Sequence, residues 1–328
     1  MSGRRIFISW PGYQPDGETT GRLLSEAGYE IVLEPKYGAR SPEELAKLAS
    51  GCVGAIVSTD PFTGEVLHAL SGLRVIARVG VGYDSIDRQT ADDLGIAIAI
   101  TPGMNAETVA DHTLALMLAL IRKVPAQDVS VKAGRWERIG SLTPGELPGK
   151  TVGLVGAGTI GRAVARRLSG FGVRILYHDA AVDVLPGAEN AGSLDALLEQ
   201  ADVVSLHLPL AEGTRHLIDE TAIARMKLGA MLVNTARGAI VDQRALFRAL
   251  REGRLAGAAL DVFETEPPGE EALRDVPNLV CAAHMGGISH ESIARMTASA
   301  TRSVIEVLSG GMPDTVVNRD TMTRQRKS

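Results

Sequence analysis

Three features of this 328-residue sequence predict two doubly wound α/β domains with parallel sheets. Short apolar segments alternate with helical ones through the first hundred residues. The alternation lapses and then resumes at Thr151, and a glycine-rich turn follows the first strand of the second series. Regular alternation puts crossover helices on both faces of a parallel sheet, and the lapse separates one sheet from the other. With 45% hydrophobic residues, the chain can bury two cores of that size.

In the first half, strands are expected at Arg5–Ser9, Glu30–Leu33, Gly54–Ser58, Arg74–Val79 and Ile96–Ile100. Helices are expected at Thr19–Ala27, Pro42–Ala49, Gly64–Ala69 and Asp84–Asp93. No glycine fingerprint follows the first strand, so this half is not expected to hold a dinucleotide. Thr101-Pro102-Gly103 breaks the pattern, and Asn105 to Lys123 reads as a long helix that is almost wholly apolar from Leu114 to Ile121. Such a helix must be buried, and burial between domains or between subunits is expected. Val124 to Gly149 shows no strong period and exceeds ordinary loop lengths, which marks it as functional or packed on a partner.

From Thr151, six strands are expected: Thr151–Val155, Val173–Tyr177, Val203–Leu206, Met231–Asn234, Gly257–Leu260 and Leu279–Ala282. The last helix, Glu291 to Leu308, has no strand of its own to pair with there. It and Asp314 to Asn318 should return to the first domain. The predicted division is therefore residues 1–103 plus 288–320, residues 104–287, and a flexible tail over 321–328.

The stretch Thr151 to Asp179 carries the clearest chemistry. An apolar strand runs into Gly156-Ala157-Gly158-Thr159-Ile160-Gly161, a helix follows, and a second strand delivers Asp179. Gly156 serves the tight turn, Gly158 lets backbone approach a pyrophosphate, and Gly161 packs helix on strand. The amides and dipole of the helix N-terminus favour phosphate. Asp179 stands 18 residues past Gly161, where an acid would bind ribose hydroxyls. A lone glycine motif is weak, since methyltransferases use similar turns, but the whole unit points to a dinucleotide. A carboxylate repels a 2′-phosphate and no arginine follows it, so NAD is expected rather than NADP.

Other classes are disfavoured. A net charge of −5 offers no broad basic surface for nucleic acid. Two cysteines, Cys52 and Cys281, are too few and too separated for a disulfide scaffold or a thiolate metal cluster, and hydride chemistry calls for no metal. No leader-like or membrane-spanning apolar run is seen, so a soluble cytoplasmic protein is expected.

Three strand ends in the second half bear an arginine, acids and a histidine. They are Asn234-Thr235-Ala236-Arg237-Gly238, Asp261-Val262-Phe263-Glu264-Thr265-Glu266-Pro267, and Ala283-His284-Met285-Gly286-Gly287. Strand carboxyl ends are where ligands bind in such sheets. Hydride transfer to a carbonyl needs a cation for the carboxylate, an acid for the nascent alkoxide, and a group that orients the acid.

Taken in order, these segments resemble the D-isomer-specific 2-hydroxyacid dehydrogenase family. Val79-Gly80-Val81-Gly82-Tyr83-Asp84, Glu107-Thr108-Val109-Ala110-Asp111-His112 and Leu208-Pro209-Leu210 join them, and the likeness runs from about Ile6 to Asn318. It implies two Rossmann-like domains with a cleft between them, the first flavodoxin-like and substrate-binding, the second NAD-binding. A homodimer through the cofactor domains is also implied. By the resemblance, His284 is proton donor and acceptor, with Glu266, rather than the competing Glu264, on its other ring nitrogen. A neighbouring carboxylate stabilises imidazolium. Arg237 is implied to bind the substrate carboxylate and keto oxygen, and the turn Val79, Gly80, Val81 to present amides to that carboxylate. Thr159 and Ile160 are placed at the pyrophosphate, Pro209 and Thr214 on the adenosine side and Thr235 and Asp261 on the nicotinamide side, with His207, Ala236 and Gly287 also counted as cofactor-binding and packing the alternative for His207.

The expected reaction moves hydride between NAD(H) and C2 of a small 2-oxo or 2-hydroxy acid. Val57 to Thr63 lacks the arginine of phosphoglycerate enzymes, and Asp60 is expected to repel a phosphate. Glyoxylate, hydroxypyruvate or pyruvate is therefore placed ahead of phosphoglycerate. Phosphite oxidation with the same histidine stays open, as does a non-catalytic NAD(H)-sensing, corepressor-like role.

Overall fold

The computed structural model describes residues 4–15, 21–36 and 40–325. The chain divides into two compact units, Met1–Asn105 with Ser289–Ser328, and Ala106–Ile288. Along the first unit run β1 (Arg5–Ile8), α1 (Gly21–Glu26), β2 (Glu30–Leu33), α2 (Pro42–Leu48), β3 (Cys52–Val57), α3 (Gly64–Ala69), β4 (Val75–Arg78), α4 (Arg88–Asp93) and β5 (Ala97–Ala99). Their strands pair in parallel in the order β2-β1-β3-β4-β5. Helix starts carry their own stop signs. Ser41 accepts the Glu44 amide with Pro42 in the first turn, Thr63 accepts that of Val66, and Asp87 that of Thr90.

The second unit begins with α5 (Ala106–Ile121) and α6 (Val124–Lys132). It continues through β6 (Thr151–Val155), α7 (Thr159–Leu168), β7 (Arg174–His178), β8 (Glu189–Asn190), α8 (Leu194–Gln200) and β9 (Val203–Leu206). α9 (Glu220–Arg225), β10 (Met231–Asn234), α10 (Gln243–Arg251), β11 (Gly257–Leu260), α11 (Glu270–Leu273) and β12 (Leu279–Cys281) complete it. All seven strands are parallel, in the order β12-β11-β10-β9-β6-β7-β8. The predicted fold class holds in both units. One strand more than expected is present, the two-residue β8, which pairs Leu176 with Glu189 and Tyr177 with Asn190 at the sheet edge.

The chain then returns to the first unit as α12 (His290–Leu308), started by a reciprocal Ser289–Ser292 capping box, and α13 (Arg319–Gln325). α12 packs on β3, β4 and β5. Between the two helices, Val316 bridges Ala99, and Asn318 accepts the Ile98 amide while donating to the Ile96 carbonyl and Asp92.

Four expectations need correction. α5 is not reserved for an interface: Ala110, Leu114, Met117, Leu120 and Ile121 lie in the core of their own unit, against α7 and one face of the sheet. A seven-stranded parallel sheet must be covered on both faces, and α5 supplies part of that cover. The stretch after α5 contains a helix, α6, whose only buried side chain is Ser130, so no apolar period announces it. The tail expected to be flexible is helical to Gln325, with Met322 buried against its unit. Residues 326–328 lie outside the described residues, as do Thr19 and Thr20 of the first expected helix.

Finally, Asp60 is not a displayed charge. It is 5% exposed, accepts the Ser9 hydroxyl at 2.5 Å and pairs with Arg40 Nε at 3.2 Å. Burial makes an unpaired carboxylate costly, and the guanidinium neutralises it.

Candidate active site

In the second unit the candidate residues gather at the carboxyl ends of the strands. Between β6 and α7, Gly156 turns the chain at φ 103°, and a Cβ on Gly161 would stand 2.2 Å from the Gly156 carbonyl oxygen. No larger residue fits that helix–strand approach. The N-cap of α7 is Gly158, with no side chain closing it, so the first-turn amides of Thr159, Ile160 and Gly161 stay open to an anion. A Cβ on Gly158 would meet nothing within 4 Å. The outer side of the loop has room for a ligand.

Asp179 follows β7 and braces that loop. Its Oδ2 accepts the Ala157 amide at 2.7 Å and its Oδ1 that of Ala181 at 2.8 Å. Burial pushes its carboxyl up, but the Ala157, Ala181 and Val182 amides outweigh it and hold the group below the usual carboxylate range. It is therefore ionised at neutral pH. After β9, His207 donates its own amide to the Val155 carbonyl at 2.7 Å, and its Nε2 lies 3.0 Å from Ser205 Oγ. Burial drives this imidazole down to about 4, so it is neutral, and its buried Nδ1 has no protein partner among the described residues. Pro209 and Thr214 close the next loop, with Thr214 Oγ1 donating to the Pro209 carbonyl at 2.7 Å.

After β10, the buried Asn234 shapes the turn that carries Arg237. Its Oδ1 accepts the Ala236 amide at 3.0 Å and its Nδ2 donates to the Arg237 carbonyl at 2.9 Å. A Cβ on Gly238 would land 1.9 Å from the Phe263 carbonyl carbon, so glycine alone lets this turn touch the loop after β11. That loop holds Glu266, whose Oε1 accepts the Phe263 amide at 3.0 Å. Its Oε2 stands 2.7 Å from His284 Nδ1. Burial pushes the Glu266 carboxyl up. The His284 hydrogen bond and charge, the Phe263 amide and the Arg237 charge together bring it below the usual range. Arg237, Glu266 and His284 thus form one electrostatic cluster. Glu264 sits elsewhere, 2.7 Å from His216 Nε2.

Asp261, expected on the nicotinamide side, is 1% exposed, and its oxygens accept the Met285 and Gly286 amides at 2.7 and 2.8 Å. Gly287 follows directly. Thr235 Oγ1 lies 2.9 Å from Thr113 Oγ1 of α5. Sequence reasoning gave no role to Asn234 or Thr113 and read His112 as a structural residue of an apolar helix. Asp261 and Thr235, the partners of His112 and Thr113, lie far along the chain, whereas Asn234 bonds locally within the Asn-Thr-Ala-Arg-Gly turn.

In the first unit, the turn after β4 corrects one detail. The Val79 amide donates to the Val57 carbonyl at 2.8 Å and so belongs to the sheet. Gly80 and Val81 keep amides that donate to nothing among the described residues. Arg78 Nη1 donates to the Val79 carbonyl at 2.8 Å and lies over the turn.

The open glycine loop, the uncapped α7 N-terminus and an ionised acid beyond them fit a dinucleotide. No group of three or more metal-ligating side chains occurs among the described residues, and no helix there is long and apolar enough to cross a membrane.

Comparison with known proteins agrees with this geometry. Residues 114–286 match the family model described as D-isomer specific 2-hydroxyacid dehydrogenase, NAD binding domain. A glyoxylate reductase of Thermofilum pendens is 42% identical over 310 residues, covering 92% of this chain and 91% of that protein. A D-3-phosphoglycerate dehydrogenase of Methanocaldococcus jannaschii is 35% identical over 316 residues, 95% of this chain but 60% of that protein. The solved structure of the TT0316 protein from Thermus thermophilus matches with a TM-score of 0.87 at 39% identity, over 95% of this chain and 99% of that one. With that extent of likeness, the chain belongs to the D-isomer-specific 2-hydroxyacid dehydrogenase family and is an NAD-dependent oxidoreductase.

Proposed function

We propose that this enzyme interconverts a small 2-oxo acid, of the glyoxylate or hydroxypyruvate type, and its D-2-hydroxy acid, with His284 as general acid and base. One observation carries the reading: the 2.7 Å contact between His284 Nδ1 and Glu266. It fixes the ring and leaves Nε2 as the nitrogen that exchanges a proton with substrate. Bound NADH supplies the hydride to C2. As charge gathers on the keto oxygen, His284 Nε2–H donates its proton there and Glu266 stabilises the ring's charged form. In the oxidative direction the neutral ring takes the hydroxyl proton. Arg237 grips the substrate carboxylate and polarises the carbonyl with a charge that does not titrate. In the other unit, the open Gly80 and Val81 amides are the groups that can donate to a substrate carboxylate.

For the cofactor, Gly156, Gly158, Thr159, Ile160 and Gly161 cradle the pyrophosphate, and Asp179 takes the ribose hydroxyls. Pro209 and Thr214 flank the adenosine and Thr235 and Asp261 the nicotinamide, with His207, Ala236 and Gly287 also at the cofactor. The unit Ala106–Ile288 is thus the cofactor unit and the other binds substrate. A small substrate is favoured because Val57 to Thr63 offers no arginine for a phosphate. The similarity to a glyoxylate reductase along nine-tenths of both chains supports the same choice. Asp60 contributes nothing to it, since Arg40 cancels its charge.

The cofactor unit also exposes Val124, Val129, Val131, Trp136 and Ile139, the last two at 78% and 90%. Exposed large apolar side chains of this kind support a homodimer through that unit. Light scattering should give about twice the 34.6 kDa chain mass; a single-chain mass overturns the dimer. Free cysteines fit a reducing cytoplasm.

The deciding experiment is His284→Ala. Turnover should fall roughly 10²- to 10⁴-fold while NADH still binds. Undiminished turnover would remove the histidine from the mechanism. An NADH-oxidation panel over glyoxylate, hydroxypyruvate, pyruvate, bulkier 2-oxo acids and phosphohydroxypyruvate tests the substrate. The highest kcat/KM is expected on one of the first two, and preference for phosphohydroxypyruvate overturns that assignment.

A further inference from the structure

α5 sends two consecutive side chains beneath the strand ends of the site. Thr113 Oγ1 donates its one proton to the Val109 carbonyl at 2.8 Å, so the 2.9 Å contact with Thr235 must be donated by Thr235. His112, one residue earlier, places Nε2 3.2 Å from Asp261 Oδ1. The distance permits charge attraction. The angle falls outside hydrogen bonding, and this buried nitrogen has no other partner among the described residues.

Asp261 is the anchor of the histidine turn. Its main-chain carbonyl accepts the His284 amide at 2.8 Å, and its carboxylate accepts the next two amides, Met285 and Gly286. Three successive N–H groups therefore end on one buried residue. They hold His284 at φ 53°, the left-handed region that non-glycine residues occupy at a cost. A Cβ on Gly286 would stand 2.8 Å from Asp261 Oδ2 and 3.5 Å from His112 Cδ2, so turn, carboxylate and ring share one tight contact. Burial pushes the Asp261 carboxyl up, yet His112 and the Gly286 and Met285 amides keep it below the usual range.

We propose that His112 is a positioning residue for the reaction: its ring, with Nε2 3.2 Å from the Asp261 carboxylate, steadies that carboxylate, which locks the left-handed turn that aims His284 at the substrate. The proposal rests on the reading of His284 as the proton carrier. It assigns a task to an α5 residue outside the glycine loop and outside the Arg237–Glu266–His284 cluster.

Two variants separate this from simple packing. His112→Phe keeps a buried ring and removes the donor; His112→Gln keeps a donor. In the protein without nucleotide, amide exchange across residues 284–286 should accelerate about 10-fold in His112→Phe. Its kcat should fall about 10- to 100-fold while KM for NADH stays within about threefold. His112→Gln should recover both to within about threefold of the unsubstituted protein. Unchanged exchange in the Phe variant, faster exchange with unchanged kcat, or equal behaviour of the two variants each overturns the proposal. Nitrogen NMR of the unsubstituted, histidine-labelled protein gives a test that needs no variant. A protonated Nε2 on His112 is expected, and a bare Nε2 facing Asp261 overturns it. Failure of the underlying reading shows separately, as full turnover in His284→Ala, and leaves the exchange result standing.

Discussion

At the carboxyl ends of β1, β2 and β3 in the first sheet, polar side chains are spent on one another. Ser9 and Arg40 both close on Asp60, and Arg40 reaches on to Glu44 at 2.9 Å and to the Glu34 carbonyl. At the carboxyl edge of the second sheet, groups are left with capacity to spare. The α7 N-terminus is uncapped, His207 Nδ1 is unpartnered, and His284 presents Nε2 after Glu266 has taken Nδ1. The two sheets share a parallel, doubly wound plan, so the plan does not decide which one does chemistry. Loop residues decide it, according to whether their hydrogen-bonding capacity is consumed internally or held open.

Breaking the internally consumed cluster should give the largest effect on stability. Arg40→Met strands the Asp60 carboxylate, and unfolding free energy should drop by about 3–5 kcal/mol. NADH affinity of the remaining folded protein should be unchanged. Denaturant titration beside nucleotide binding checks both, and a parallel loss of NADH affinity breaks the division of labour drawn above.

An intermediate effect is expected at His207. Its folded value, about 4, lies below the ordinary 6.5, so between those values the unfolded chain binds the extra proton. Stability is full above about 6.5 and is lost as pH falls toward 4, by on the order of 2–3 kcal/mol. Replacing His207 with Phe should flatten the wild-type slope between pH 7 and pH 5 in denaturation curves. An unaltered slope shows that this ring does not titrate as its burial requires.

The smallest effect is on cofactor choice. Asp179→Arg should shift the NADPH to NADH preference by about tenfold or more, equivalent to 1.4 kcal/mol. Steady-state kcat/KM for both nucleotides measures it. Retained preference for NADH would take the ribose away from Asp179.

Much of this was readable from the chain because it is local. Buried strands show as short apolar runs, the glycine loop has fixed spacing, and side-chain caps such as Ser41 and Ser289 stand at their helix starts. What escaped is non-local or lacks a pattern. α6 buries only Ser130 and leaves no stripe to detect. β8 is two residues long, below any periodicity. Asp60 reads as a lone negative charge until folding brings Arg40 and Ser9 to it. His112 reads as one polar residue on an apolar helix, because Asp261 is distant in sequence and near only after the second sheet forms.

The first unit is made from both ends of the chain, with α12 covering β3, β4 and β5. During synthesis its five strands leave the ribosome long before their lid is translated, whereas the segment from Ala106 to Ile288 is contiguous and can complete itself first. The amino-terminal third must therefore wait, with Ile6 and Val75, which gather with Val304 of α12 around Gly54, uncovered on the way to their final burial. That interval is when the nascent polypeptide is most exposed to aggregation and has most need of a chaperone.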